Sequence, residues 1–194
     1  MALPADYETT LADYEYFHPL LAHDGPWTLD EVMALPEDST QRVELVDGSL
    51  LMSPIGNVRH QRLLFRIATA LQAACPPGLE ALPGLNLEIS SSRMLIPDFT
   101  VNVAGEEGLL LPASELVLAG EVLSPSNRVN DLVLKRKLYA DAGIPFYLVV
   151  DPEGDEVTAT MFELDAGEYV ESARSADGVL KLERPFPVTI ELSP

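Results

Sequence analysis

Two acidic residues stand in apolar runs where acids are scarce. Asp98 lies in Leu95-Ile-Pro-Asp-Phe-Thr-Val-Asn-Val103, and Glu121 closes Leu116-Val-Leu-Ala-Gly-Glu before Val122 and Leu123. Both runs have the length and β-branched content of strands. A carboxylate inside a strand buried on both faces costs several kcal/mol unless it is protonated, paired with a cation or bound to a metal. A lysine on the next helix, Lys135, turns toward the same sheet. Two acids and one lysine in this arrangement suggest a metal site.

Composition narrows the setting. With 194 residues and 47% hydrophobic content, one well-cored domain is the expectation. Residues 1–26 mix Pro, Asp, Tyr and His without a period, so a loosely ordered N-terminal arm followed by one domain over 27–194 is expected. No apolar stretch approaches the roughly 20 residues a bilayer span needs, and the N-terminus lacks a basic start; a cytoplasmic protein without a membrane partner is expected. Cys75 is the single cysteine, which leaves no disulfide framework and no thiolate cluster. The formal net charge of −19 argues against general affinity for nucleic acid, which rests on clustered Lys and Arg. The distribution leaves room for local patches, because seven of the twelve basic residues fall within 59–66 and 128–137.

Local signals give most of the element order. Thr28-Leu-Asp-Glu31 has capping-box spacing and predicts a short helix ending near Leu35-Pro36. Val43–Met52 predicts a hairpin turning at Asp47-Gly48. Asn57 is placed to cap a helix to about Ala74, which Pro76-Pro77 ends. Strands are predicted near Leu85–Ile89, Leu95–Val103 and Leu116–Leu123, then a helix over Arg128–Ala142 and a strand at Phe146–Val150. Turn signals around Val157–Phe162, Glu168–Glu171 and Val188–Leu192 predict a C-terminal β meander.

The helix over 128–142 places Leu132, Leu134, Leu138, Tyr139 and Ala142 on an arc centred near Lys135, with Arg136 and Lys137 outside it. Lys135 then points at the sheet that bears Glu121; the alternative is a snorkelling side chain whose stem covers apolar surface. On the earlier helix, His60 shares a face with Leu64, Ile67 and Leu71, while Arg59, Arg62 and Arg66 share the opposite one. His60 is thus either a hydrogen-bonded core histidine or a site residue. The arginines form a candidate phosphate-contacting stripe or a solvated, ion-paired face. In the strand of Asp98, Ile96, Thr100 and Asn102 share its face. Hard cations such as Mg²⁺ take oxygen ligands, so two carboxylates on adjacent strands suffice to hold one.

Pro97-Asp98, Glu121-Val-Leu-Ser-Pro-Ser126, Asp131-x-x-x-Lys135-x-x-x-Tyr139-Ala-x-Ala-Gly-Ile144 and Tyr147-Leu-Val-Val-Asp-Pro152, in this order, resemble the Uma-two family of restriction endonucleases within the PD-(D/E)xK nuclease superfamily. Val43-Glu-Leu-Val-Asp-Gly48, Met52-Ser-Pro54 and Arg59-His-Gln61 match its N-terminal pattern, and the resemblance spans about residues 27–192. It implies an α+β fold with a restriction-endonuclease-like core, a mixed sheet flanked by helices. It also implies Asp98 and Glu121 as ligands of Mg²⁺ or Mn²⁺, Lys135 as the catalytic lysine, and Glu44 as a further acid. Two departures stand out. Leu123 occupies the place of the strand lysine of Glu-x-Lys, so the lysine must reach across from the helix; Phe146 and Leu148 replace an acid and a Trp.

Glu44 has a plainer alternative as half of a surface ion pair with Arg42. Tyr139 packs or hydrogen-bonds in the site, Asp131 caps the helix or holds Lys135 at i, i+4, and Ser124 and Ser126 are placed to cap the helix. The preferred function is a Mg²⁺-dependent endonuclease acting on DNA. The alternatives are a catalytically degenerate nuclease-fold protein serving as a binding or regulatory module, and a buried ion-pair network without a ligand. A homodimer suits a nuclease that cuts both strands.

Overall fold

Asp47 and Gly48 take φ of 49° and 81°, the left-handed pair that closes a tight hairpin, and they join β1 (Gln41–Val46) to β2 (Ser49–Pro54). Gly48 is required twice over, because a Cβ there would meet Pro26 Cβ at 2.5 Å. This computed structural model describes residues 23–36, 41–105, 107–125 and 128–193. The expected arm therefore falls mainly outside the described residues, as do Ser126 and Asn127. His23 stacks on Trp27 with ring centroids 3.7 Å apart. Both bonds of the Thr28–Glu31 capping box form at the start of α1 (Leu29–Met33). The Asn57 side chain accepts from the His60 N–H and opens α2 (Val58–Ala74).

The strands that follow are β3 (Leu79–Pro83), β4 (Leu87–Ser90), β5 (Arg93–Leu95), β6 (Phe99–Val103), β7 (Leu111–Pro112) and β8 (Leu116–Val122). Residues Asn130–Lys135 wind as a π-helix that continues as α3 (Arg136–Asp141). Then come β9 (Phe146–Asp151), β10 (Thr158–Asp165), β11 (Glu168–Arg174), β12 (Val179–Leu182) and β13 (Val188–Glu191). One sheet has the order β2-β1-β5-β4-β7, a second has β11-β10-β9-β8-β6-β3, and β12 pairs with β13 alone. β8 and β9 are parallel neighbours, and the π-helix and α3 form the crossover that parallel pairing demands.

Three expectations are corrected. Leu95–Val103 is not one strand. Pro97 brings no N–H to a ladder, and at Ile96-Pro97-Asp98 the chain passes from β5 in the five-stranded sheet to β6 in the six-stranded one. The helix over 128–142 is π-helical through Lys135, not uniformly α-helical. The C-terminal meander divides: β10 and β11 extend the larger sheet, whereas β12 and β13 stand apart.

Alternation separates the two faces of the six-stranded sheet. Phe99, Val101, Leu118, Val122, Leu148 and Val150 pack with Ile67 and Leu71 of α2 and with Leu180 and Ile190 of the β12–β13 pair. Ala119, Tyr147 and Val149 face the other way, toward Leu138, Tyr139 and Ile144 around α3 and Leu87 and Leu95 of the smaller sheet. Phe146 and Leu148, where the sequence departs from the family pattern, are buried in the α2-side core, so these changes alter packing and not a partner surface. Gly120 lets the Phe99 ring cross the strand; a Cβ there would lie 2.0 Å from Phe99 Cε2. No helix among the described residues is long and apolar enough to cross a membrane.

Candidate active site

Phe99 pairs with Gly120 across β6 and β8, so Asp98 and Glu121 flank that pair on the α3 side of the sheet. Asp98 Oδ2 accepts from the Val122 N–H at 2.8 Å. Its Oδ1 accepts from Arg42 Nη1 at 2.7 Å and lies 3.3 Å from His60 Nε2. Arg42 Nη1 also donates to the Ile96 carbonyl at 3.1 Å. Glu121 Oε1 accepts from Lys135 Nζ at 3.0 Å and from the Tyr139 hydroxyl at 2.8 Å.

Glu44 arrives from β1 of the other sheet, one residue from Leu45, which faces the opposite side. It is 1% exposed, which overturns the surface-pair reading: its Oε1 lies 3.0 Å from Lys135 Nζ and accepts from the Ile96 N–H at 2.7 Å. Arg42 pairs instead with Asp98. The wide π turn brings both Asp131 and Lys135 inside, each 3% exposed, with Asp131 Oδ1 3.6 Å from Lys135 Nζ. The Tyr147 hydroxyl donates to the Asp131 carbonyl at 2.7 Å and steadies that turn. π turns of this kind recur at functional sites. The snorkelling alternative for Lys135 is excluded by its burial.

The electrostatics follow from four buried carboxylates, Glu44, Asp98, Glu121 and Asp131, facing Lys135 and Arg42. Burial opposes ionisation of Asp98, yet the hydrogen bond from His60, the Arg42 charge and the Val122 N–H hold its carboxyl down at about 2. Burial pushes the Glu121 carboxyl well up; Lys135 opposes that rise, and Asp98, Asp131 and Glu44 add to it. Asp131 is likewise pushed up to about 6 by burial against Lys135, with Asp98 and Glu44 contributing. Burial disfavours the Lys135 ammonium, but Glu121, Glu44 and Asp131 outweigh it and raise its pKa. The lysine is locked in its charged form.

The chemistry of this set bears on a divalent cation. Four carboxylates outnumber the two adjacent cations, and Asp131 Oδ1 is buried without a hydrogen-bond donor, so hard oxygen donors carry unbalanced negative charge. That fits Mg²⁺ or Mn²⁺. Among the described residues, no three His, Cys, Asp or Glu groups form a ligand cage.

The profile of the Uma2 family, described as "Putative restriction endonuclease", matches residues 29–194. The chain belongs to the Uma2 family. Comparison with curated proteins gave no match. The crystal structure of a protein titled a putative nuclease belonging to DUF820, from Anabaena variabilis, superposes with a TM-score of 0.66 at 19% identity, covering 82% of this chain and 90% of that one. The mixed α+β architecture of this Uma2 chain is thus a nuclease-like fold. Of the residues singled out from sequence, Asp98, Glu121, Lys135, Glu44 and His60 converge. Arg59 and Arg62 are exposed and Arg66 half-buried on the outside of α2, apart from the acids. Sequence reasoning missed Arg42 as the partner of Asp98; its i, i+2 spacing from Glu44 on β1 was the available signal. Asp131 and Tyr139 turned out to belong to the charged cluster.

Proposed function

We propose that this Uma2 chain is a metal-dependent endonuclease that hydrolyses DNA phosphodiester bonds at the Glu44–Asp98–Glu121–Lys135 centre. The observation that carries the reading is Lys135 Nζ at 3.0 Å from both Glu121 and Glu44, which supports a helix-borne lysine taking the role of the absent strand lysine. Asp98 and Glu121 would hold Mg²⁺ or Mn²⁺, which when bound supplies Lewis acidity to the phosphodiester and lowers the pKa of a bound water.

The protein's own groups do the rest. His60, Arg42 and the Val122 N–H keep Asp98 ionised and fix its orientation. The Tyr139 hydroxyl fixes Glu121 from the opposite side to the sheet. Lys135, held charged by three carboxylates, orients the attacking water and offsets negative charge growing on the phosphate. Glu44, anchored by the Ile96 N–H, sets where the ammonium points. The test is cleavage of single- and double-stranded DNA in Mg²⁺ or Mn²⁺ by the wild type beside Asp98→Asn and Lys135→Met, with folding checked by circular dichroism. Both variants should lose cutting by about 100-fold or more. Cutting that survives in folded Asp98→Asn, or no cutting by the wild type on any substrate, would overturn the assignment.

A further inference from the structure

The arginines of this chain fall into two groups. Arg42, Arg93, Arg128, Arg174 and Arg184 pair with carboxylates, and Arg136 donates to the Tyr169 carbonyl and covers the Phe162 ring. Arg59, Arg62 and Arg66, unlike these, have neither a carboxylate nor a carbonyl or ring partner among the described residues, although the chain carries 31 acids. All three lie on the outward side of α2, whose inward side is filled by Leu63, Leu64, Ile67 and Leu71.

Between them stands Phe65, 72% exposed, with Val58 also bare at 66%. A groove of about 790 Å³ runs along this face, lined by Gly56, Val58, Arg62, Phe65 and Arg66. At its N-terminal end, the same helix sends His60 to Asp98. The helix thus carries the arginines on its outward side and a contact to the charged centre on its inward side.

We infer that this face seats a single strand of nucleic acid, its phosphates on Arg59, Arg62 and Arg66 and one base stacked on Phe65. The inference rests on the nuclease reading and adds the form of the substrate. Charge complementarity selects a polyanion, because these three arginines have no partner among the described residues. The exposed ring selects a single strand: a duplex presents phosphates and groove edges to a helix, whereas an unpaired base offers a face that an aromatic side chain can cover. The rest of an acidic surface also repels a duplex, with twice the charge per length, more than a single strand.

Binding can be read without turnover, by fluorescence anisotropy in chelator, using a labelled oligodeoxythymidine of about 20 nucleotides and a duplex of the same length. The wild type should bind the single strand more tightly than the duplex. Phe65→Ala should weaken single-strand binding about tenfold, and Arg62→Ala and Arg66→Ala should each flatten the log–log salt slope by about 0.7. Duplex binding at least as tight, with Phe65→Ala unchanged, overturns the inference. So does a Phe65→Ala variant that leaves DNA binding intact but converts a sedimenting dimer to monomer, which would make a second copy the occupant. Metal-dependent duplex cutting without single-strand binding would sink this inference and spare the nuclease reading; single-strand binding without any cutting would do the reverse.

Discussion

The two faces of the six-stranded sheet are equally dry and are held by different forces. On the α2 side, Phe99, Leu118, Val122 and Ile67 interlock in an apolar cluster, so stability there comes from volume and apolar area. On the α3 side, the same sheet buries Asp98 and Glu121 among Tyr139, Tyr147 and Ala119, and its integrity depends on charge balance with Lys135 and Arg42. A replacement by apolar residues of similar volume would often stabilise such a site. The difference teaches that one face is held by packing and that the other gives up stability to keep four carboxylates and their two cations together.

The contrast is sharpest in paired substitutions. Lys135→Met should cost about 3–5 kcal/mol at about pH 8, because it leaves Glu44, Glu121 and Asp131 without their shared cation. The loss should shrink at about pH 5, where Glu121 and Asp131, whose carboxyls are pushed up, can take up protons. Ile67→Ala should cost about 2–5 kcal/mol and be indifferent to pH. Urea unfolding at both pH values compares them, and a pH-independent Lys135→Met loss would erase the distinction between the faces.

A smaller effect concerns the intact protein. Glu121 and Asp131 titrate above their unfolded values, Asp131 near 6. Their contribution to stability is thus fully present below the unfolded carboxyl range, near 4, and is lost as pH rises through their folded values. Without added metal, the melting temperature should rise by a few °C between about pH 7 and pH 5. Falling net charge contributes to the same trend, so Asp131→Asn is the control: it should remove part of the rise, whereas the exposed Asp155→Asn should not. Asp98, held at about 2, acts in the opposite sense, contributing stability that disappears only as pH falls from about 4 toward 2. The smallest change is Tyr139→Phe, which deletes one donor to Glu121 and should cost about 1–2 kcal/mol. Calorimetry with Leu138→Val as a purely apolar comparison would show whether the hydroxyl matters beyond its ring.

Much of the α2 face and of the N-terminal helix and hairpin was legible in the sequence, and the reasons are local. Asn57, the capping box at Thr28 and the Asp47-Gly48 turn each act within a few residues, and the apolar spacing of Leu64, Ile67 and Leu71 fixes the buried side of α2. The acids and lysine of the centre were legible too, since a carboxylate in an apolar run demands a partner. The rest was set by pairing at a distance. β7 is two residues long and exists because Leu111 meets Leu87 on β4. β3 shows little alternation and is recruited by β6. The sheet change at Pro97 and the π turn before α3 depend on where the other sheet lies, and a uniform helical count cannot register a turn of different width.

The passage at Ile96-Pro97-Asp98 also bears on when the protein becomes competent. Glu44 and Arg42 belong to one sheet, Asp98 and Glu121 flank or occupy the other, and Lys135 comes from the crossover between β8 and β9. A nascent chain short of residue 135 carries the acids without their ammonium, and a full-length chain whose β1–β2 hairpin has not docked lacks Glu44 and the Arg42 clamp on Asp98. On the nuclease reading, the geometry acts as a safety catch: DNA-cutting chemistry exists only in a molecule that has finished folding.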